Sequence, residues 1–184
     1  MLKKIIILAL LMSSLYIFGE NKDIEAIRKE FKEINSKAKP VLLDYTMIVT
    51  LIDKDSEKPA KVIAYLDNKK FKKISVEYMG ETVKVNTDYY FKDGKLFFVY
   101  TVNTEYNASI YMDKKQAEKL GIEAFDPKKS KITTQRFYLK NGKLIRWLDK
   151  NKKKLDVNSK KASEKLKEIL QESERIKKEV KDIF

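Results

Sequence analysis

The sequence predicts an α+β fold, an antiparallel β-meander of about seven strands with a helix at each end. Three observations carry that expectation. The stretches TDYYFKDGKLFFVY (87–100) and QRFYLKNGKLIRWL (135–148) repeat one pattern at an offset of 48. Tyr90, Lys92, Gly94, Lys95 and Leu96 match Tyr138, Lys140, Gly142, Lys143 and Leu144, and Asp-Gly and Asn-Gly supply the positive φ angles of a two-residue hairpin turn. Near the start, Ile24, Ile27, Phe31, Ile34 and Ala38 recur at helical spacing. Near the end, Ala162, Leu166, Ile169, Ser173, Ile176, Val180 and Ile183 keep a seven-residue period.

The elements follow in order. Residues 22–38 form the first helix, with Asn21 or Asp23 as its cap and Pro40 forbidding continuation. Residues 41–52 read as a long strand, because Leu43, Tyr45, Met47, Val49 and Leu51 alternate. DKDSEKP breaks it, and a DNKK turn joins strands at 61–67 and 72–79. Gly80 turns the chain into 82–91, the first arm of the first repeat, and 95–102 is its second arm. Residues 103–130 are irregular, with a short helix at 113–120 stopped by Gly121. The second repeat gives strands at 131–140 and 143–149, a basic linker spans 150–161, and a helix runs from Ser159 to the end. Leu96 to Tyr100 is apolar at every position, which requires a sheet covered on both faces there.

The first 19 residues have the grammar of a secretory signal peptide: Lys3 and Lys4, then apolar Ile5 to Phe18 broken only by two serines, then small Gly19. Fourteen residues at ~1.5 Å each fall short of a ~30 Å hydrocarbon core, which argues against an anchor. The expected organisation is a signal peptide at 1–19 and a single α+β domain at 20–184, and the expected location is the periplasm or outside the cell.

The chain has no cysteine and no histidine. Disulfides, thiolate chemistry and lipidation of a cysteine are excluded, and so are the commonest neutral-pH base and the commonest zinc ligand. Asp53, Asp55 and Glu57 imitate the start of a calcium loop, but Lys58 and Ala64 stand where a Gly and a bidentate Glu are needed. No phosphate loop, dinucleotide fingerprint or nucleophile elbow is present. The expectation is a protein without enzymatic activity, cofactor or metal.

Charge is unevenly placed. Residues 127–161 hold 13 basic and two acidic residues, while the remainder of 20–184 is balanced at 25 against 25. Arg136, Lys140, Lys143, Arg146, Trp147, Lys152, Lys153 and Lys154 are the candidate contacts, since basic side chains among aromatics suit an anionic partner. Export argues for an anionic component or protein of the cell envelope and against intracellular nucleic acid. The alternative expectation is a periplasmic carrier of lipid or apolar peptide on a curved sheet. The period of the last helix suits a coiled-coil seam and a weak homodimer through 162–183. Asn107-Ala108-Ser109 is a glycosylation sequon, relevant only in a glycosylating pathway.

An IR-x-EF-x-x-IN helix (27–35), YYFKDGKLFFVY, RFYLKNGKLIRWLD and a charged final helix together resemble small exported bacterial proteins of uncharacterised function. The resemblance implies the fold and export, and no catalytic residue.

Overall fold

The computed structural model describes residues 21–37, 47–52 and 59–182. The candidate signal peptide, the first half of the strand expected at 41–52, the calcium-like residues Asp53, Asp55 and Glu57, and Ile183 lie outside the described residues. The chain divides between Lys39 and Pro40 into two compact units.

In the first unit, helix α1 spans 21–37. Ile24, Ile27 and Ile34 of the apolar stripe are buried. On its polar side Lys37 reaches Glu33 at 2.7 Å, an i,i+4 pair.

The second unit is an antiparallel meander in strict chain order: β1 (Met47–Ile52), β2 (Pro59–Asp67), β3 (Lys70–Met79), β4 (Val83–Lys92), β5 (Lys95–Glu105), β6 (Lys131–Lys140), β7 (Lys143–Leu148) and β8 (Lys154–Leu155). Seven are long and β8 has two residues. Between β5 and β6 lie α2 (Lys114–Leu120) and a 3-10 turn (Pro127–Lys129). Asp113 caps α2 by accepting from the Gln116 amide, and Gly121 ends it at φ 65°. Helix α3 (Lys160–Lys181) closes the unit, capped by Ser159, whose hydroxyl accepts from the Ala162 amide at 3.2 Å.

One face of the sheet packs under α3. Val62, Ile74, Val76, Tyr89, Phe91, Val99, Phe137, Leu139 and Trp147 form a core with Ala162, Ile169, Ile176 and Val180. Each such side chain removed from water contributes about 1.5–3 kcal/mol, except the smaller alanine. The seven-residue stripe of α3 therefore serves the sheet of its own chain rather than a coiled-coil seam. Lys161 over Trp147, Glu172 accepting from the Tyr78 hydroxyl, and Lys177 donating to the Gly94 carbonyl fix how the helix crosses the strands.

The basic stretch after β7 is more ordered than its composition indicated. Asp149 Oδ1 accepts from the Asn151 and Lys153 amides at 2.9 and 2.8 Å, and its own amide donates to the Lys153 carbonyl. That turn, with Lys152 at φ 62°, brings Lys154 and Leu155 against Leu148 and Trp147 as β8.

Candidate anionic-partner interface

Strand register decides which candidate residues meet. Arg136 pairs with Leu148 and with Tyr100, and Arg146 pairs with Tyr138, so both arginines lie on the face opposite α3. They are diagonal neighbours there, within reach of long side chains. Lys140 and Lys143 face each other at the tip of the β6–β7 hairpin. Lys152, Lys153 and Lys154 are exposed at the opposite end of β7. Trp147 is separated from the arginines. It pairs with Phe137 on the α3 face, is 4% exposed, stacks on Phe137 at 5.3 Å and donates its indole N–H to Gln135 at 3.2 Å. Inside the folded chain it has no surface to offer a partner.

Several lysines of 127–161 are already matched. Lys129 pairs with Glu123, Lys131 with Glu105 and Lys160 with Glu164. The two acids of the segment, Asp149 and Asp156, spend carboxylate oxygens on backbone amides of their own turns. Among the described residues, no carboxylate pairs with Arg136, Lys143, Lys152 or Lys153. Arg136 is half-buried, lies 5.2 Å over the Tyr100 ring and, among the described residues, donates only to the Thr134 hydroxyl, at 3.4 Å. A guanidinium has five donors, so most of this one's hydrogen-bonding capacity is unspent among the described residues.

The same face carries a second feature. Tyr65, Lys73, Tyr90, Phe98, Tyr138 and Arg146 form one continuous cross-strand row. Tyr90, Phe98 and Tyr138 are buried, and their rings meet at 5.7 and 4.9 Å. Leu96 and Val99 are buried on the α3 face, so the apolar run of β5 is covered on both sides as its sequence requires. Lys73 sits 5.6 and 5.2 Å over Tyr65 and Tyr90 and holds Asp88 at 2.7 Å. Asp88 also accepts from Ser75 at 2.6 Å and Tyr90 at 3.2 Å. Burial raises the pKa of the Tyr65 hydroxyl, and the nearby Asp88 charge adds to the shift. Further along the face, hydrogen bonds from Lys84 and Asn86 hold the Glu77 carboxyl below its usual range.

The register also contains a hairpin that the turn chemistry hid. Tyr65–Lys73 has the geometry of Tyr90–Phe98 and Tyr138–Arg146. In all three the Tyr pairs with the last residue, the next apolar pair follows after a one-residue bulge, and a two-residue turn closes the tip. The turn residues take φ 49° and 60° at Asn68 and Lys69, 49° and 75° at Asp93 and Gly94, and 50° and 74° at Asn141 and Gly142. The sequence signal was the Tyr-apolar-x-Asn/Asp-x-Lys-apolar pattern. Lys69 in the glycine position masked it.

Residues 106–130 fold back on the β3–β4 turn. The Tyr106 and Ile110 amides donate to the Thr82 and Glu81 carbonyls, and Tyr106 meets Phe125 edge-on at 5.4 Å. The Asn107 side chain donates to the Ala124 carbonyl and accepts from the Asp126 amide, so the sequon asparagine holds this segment together. Among the described residues, no group of three or more acidic side chains is placed to hold a metal ion, and no helix is long and apolar enough to cross a membrane.

Comparison with protein-family models, with curated proteins and with solved structures finds no match.

Proposed function

We propose that the protein is an exported, non-enzymatic binding protein of the cell envelope that recognises an anionic partner through the basic segment 127–161. The observation that carries this reading is Arg136. It is a half-buried guanidinium with one long hydrogen bond and no carboxylate among the described residues, next in register to Arg146. Placing such a group in a sheet face without an acceptor costs free energy that an incoming carboxylate, phosphate or sulfate recovers. Lys143 at the β6–β7 tip and Lys152 and Lys153 beyond the other end of β7 add exposed charge.

The carrier reading draws on the buried row Tyr90, Phe98 and Tyr138. Those rings already fill their own contacts at 4.9 and 5.7 Å, which favours the anionic reading.

The test combines export and salt. The mature chain should be recovered from the periplasm or medium with an N-terminus near Glu20. Its binding to an anionic envelope fraction should weaken steeply between ~50 and ~500 mM salt, because the screening length falls from about 14 Å to about 4 Å across that range. Arg136→Gln should weaken it at least tenfold. Binding that ignores both salt and Arg136 overturns the proposal.

A further inference from the structure

The three equivalent hairpins point their tips to one end of the sheet, and each begins its second arm with a lysine: Lys70, Lys95 and Lys143. All three are exposed. None pairs with a carboxylate among the described residues. They occupy the same position in every hairpin, opposite Asp67, Lys92 and Lys140. Equivalent positions in neighbouring hairpins lie two strands apart, about 10 Å at ~4.8 Å per strand, so the outer two are roughly 20 Å apart.

From this we infer that the hairpin-tip end of the sheet is a docking comb for a linear polyanion, laid across the strands and touching Lys70, Lys95 and Lys143 in turn. The inference rests on the anionic-partner reading and changes its footprint, since Lys70 and Lys95 lie outside the basic segment. Three features select a hydrophilic polymer. The tips are built from Asn68, Lys69, Asp93, Gly94, Asn141 and Gly142, with no apolar side chain to enter a bilayer. Among the described residues, the five exposed large hydrophobic ones, Met79, Tyr111, Leu120, Ile122 and Ile132, belong to the other end of the sheet or to the segment folded against it. The spacing matches about one Debye length, so a single small anion engages one lysine while a chain engages all three. Linking the contacts makes the second and third intramolecular, which multiplies affinity without new chemistry.

Sodium polyphosphate of graded length is the probe, with inorganic phosphate and anionic lipid vesicles as comparators and the mature chain as the protein. Affinity should rise at least tenfold between chains too short to bridge two hairpins and chains that bridge all three. Inorganic phosphate should be at least a hundredfold weaker than the longest chain. Lys70→Gln with Lys95→Gln should cost at least tenfold while leaving the circular dichroism spectrum and melting temperature unchanged. Loss of binding in Lys152→Gln/Lys153→Gln but not in Lys70→Gln/Lys95→Gln overturns the comb and leaves the basic segment standing. Loss in neither overturns the comb and leaves the basic segment to the Arg136→Gln test. Binding to vesicles without binding to polyphosphate overturns the comb in favour of a membrane surface.

Discussion

Lys73 and Asp88 meet across β3 and β4 at 2.7 Å, with only 13% and 22% of their side chains exposed. Ser75 and Tyr90 complete the carboxylate's hydrogen bonds. A half-buried charge that loses its partner keeps its desolvation penalty, so either single change is costly. Lys73→Met should destabilise by about 1–3 kcal/mol, and a double-mutant cycle with Asp88→Asn should give a coupling of about 1–2 kcal/mol. The exposed Lys160–Glu164 pair, at 3.8 Å, should couple by at most about 0.5 kcal/mol. Urea unfolding of the parent and of the two single variants and the double variant of each pair measures both couplings, and equal couplings would show that the tyrosine-lined face gives no shelter from water.

Lys69 holds φ 60° in the turn of the first hairpin, where the other two hairpins have Gly94 and Gly142. A side chain costs about 1–2 kcal/mol in that region, and glycine returns part of the gain as unfolded-state entropy. Lys69→Gly should therefore stabilise the protein by about 0.5–1 kcal/mol, and Gly142→Ala should destabilise it by about 1 kcal/mol. Thermal melts of the two variants should move in opposite directions. A loss of stability in Lys69→Gly would mean that the lysine side chain makes a contact worth more than its strained backbone.

The two glycine-bearing hairpins were readable because Asp-Gly and Asn-Gly name their own turn type, and a period of two then sets which side chains share a face. The first hairpin carries no such signal in sequence, because Lys69 stands where the others have glycine. The one-residue bulges were invisible, and the second face depends on them. Without the bulge after Tyr138, Arg146 would move to the other face. Trp147 is next to Arg146 in sequence, yet neighbours on a strand point to opposite faces, so the two are separated by the sheet. The stripe of α3 was legible as a stripe, but its partner was not, because a helix face that buries into a sheet and one that buries into another helix use the same residue types.

Tyr89 and Glu77 act at opposite ends of the pH range. Burial raises the Tyr89 hydroxyl well above its ordinary 10.0. Its contribution is complete below pH 10 and is lost as pH rises from there towards the folded-state value. Tyr89→Phe should match the parent at pH 7 and be the more stable of the two above pH 10. Glu77 is shifted the other way, below 4.5, by Lys84 and Asn86. Its contribution is present above pH 4.5 and disappears as pH falls through the lowered value, so Glu77→Gln should flatten the acid limb of the stability profile. Chemical denaturation from pH 3 to 11 reads both limbs, and parallel profiles for parent and variants would refute the assignments.

Ser173 is the only polar residue among the buried side chains described, at 1% exposure in the middle of the α3 stripe. Its hydroxyl donates to the Leu170 carbonyl at 3.0 Å, a bond back into its own helix. Such a bond competes with the helix ladder and adds little, and alanine has the higher helix propensity. Ser173→Ala should thus be neutral or stabilising by up to about 0.5 kcal/mol, whereas Ser173→Leu should cost about 1–3 kcal/mol by overpacking a filled site. Ile176→Ala, one turn on and equally buried, should cost about 2–5 kcal/mol through the cavity it leaves. If Ser173→Leu instead stabilised the protein, the space between helix and sheet would have to be looser than the contacts of Ala162, Ile169 and Val180 allow.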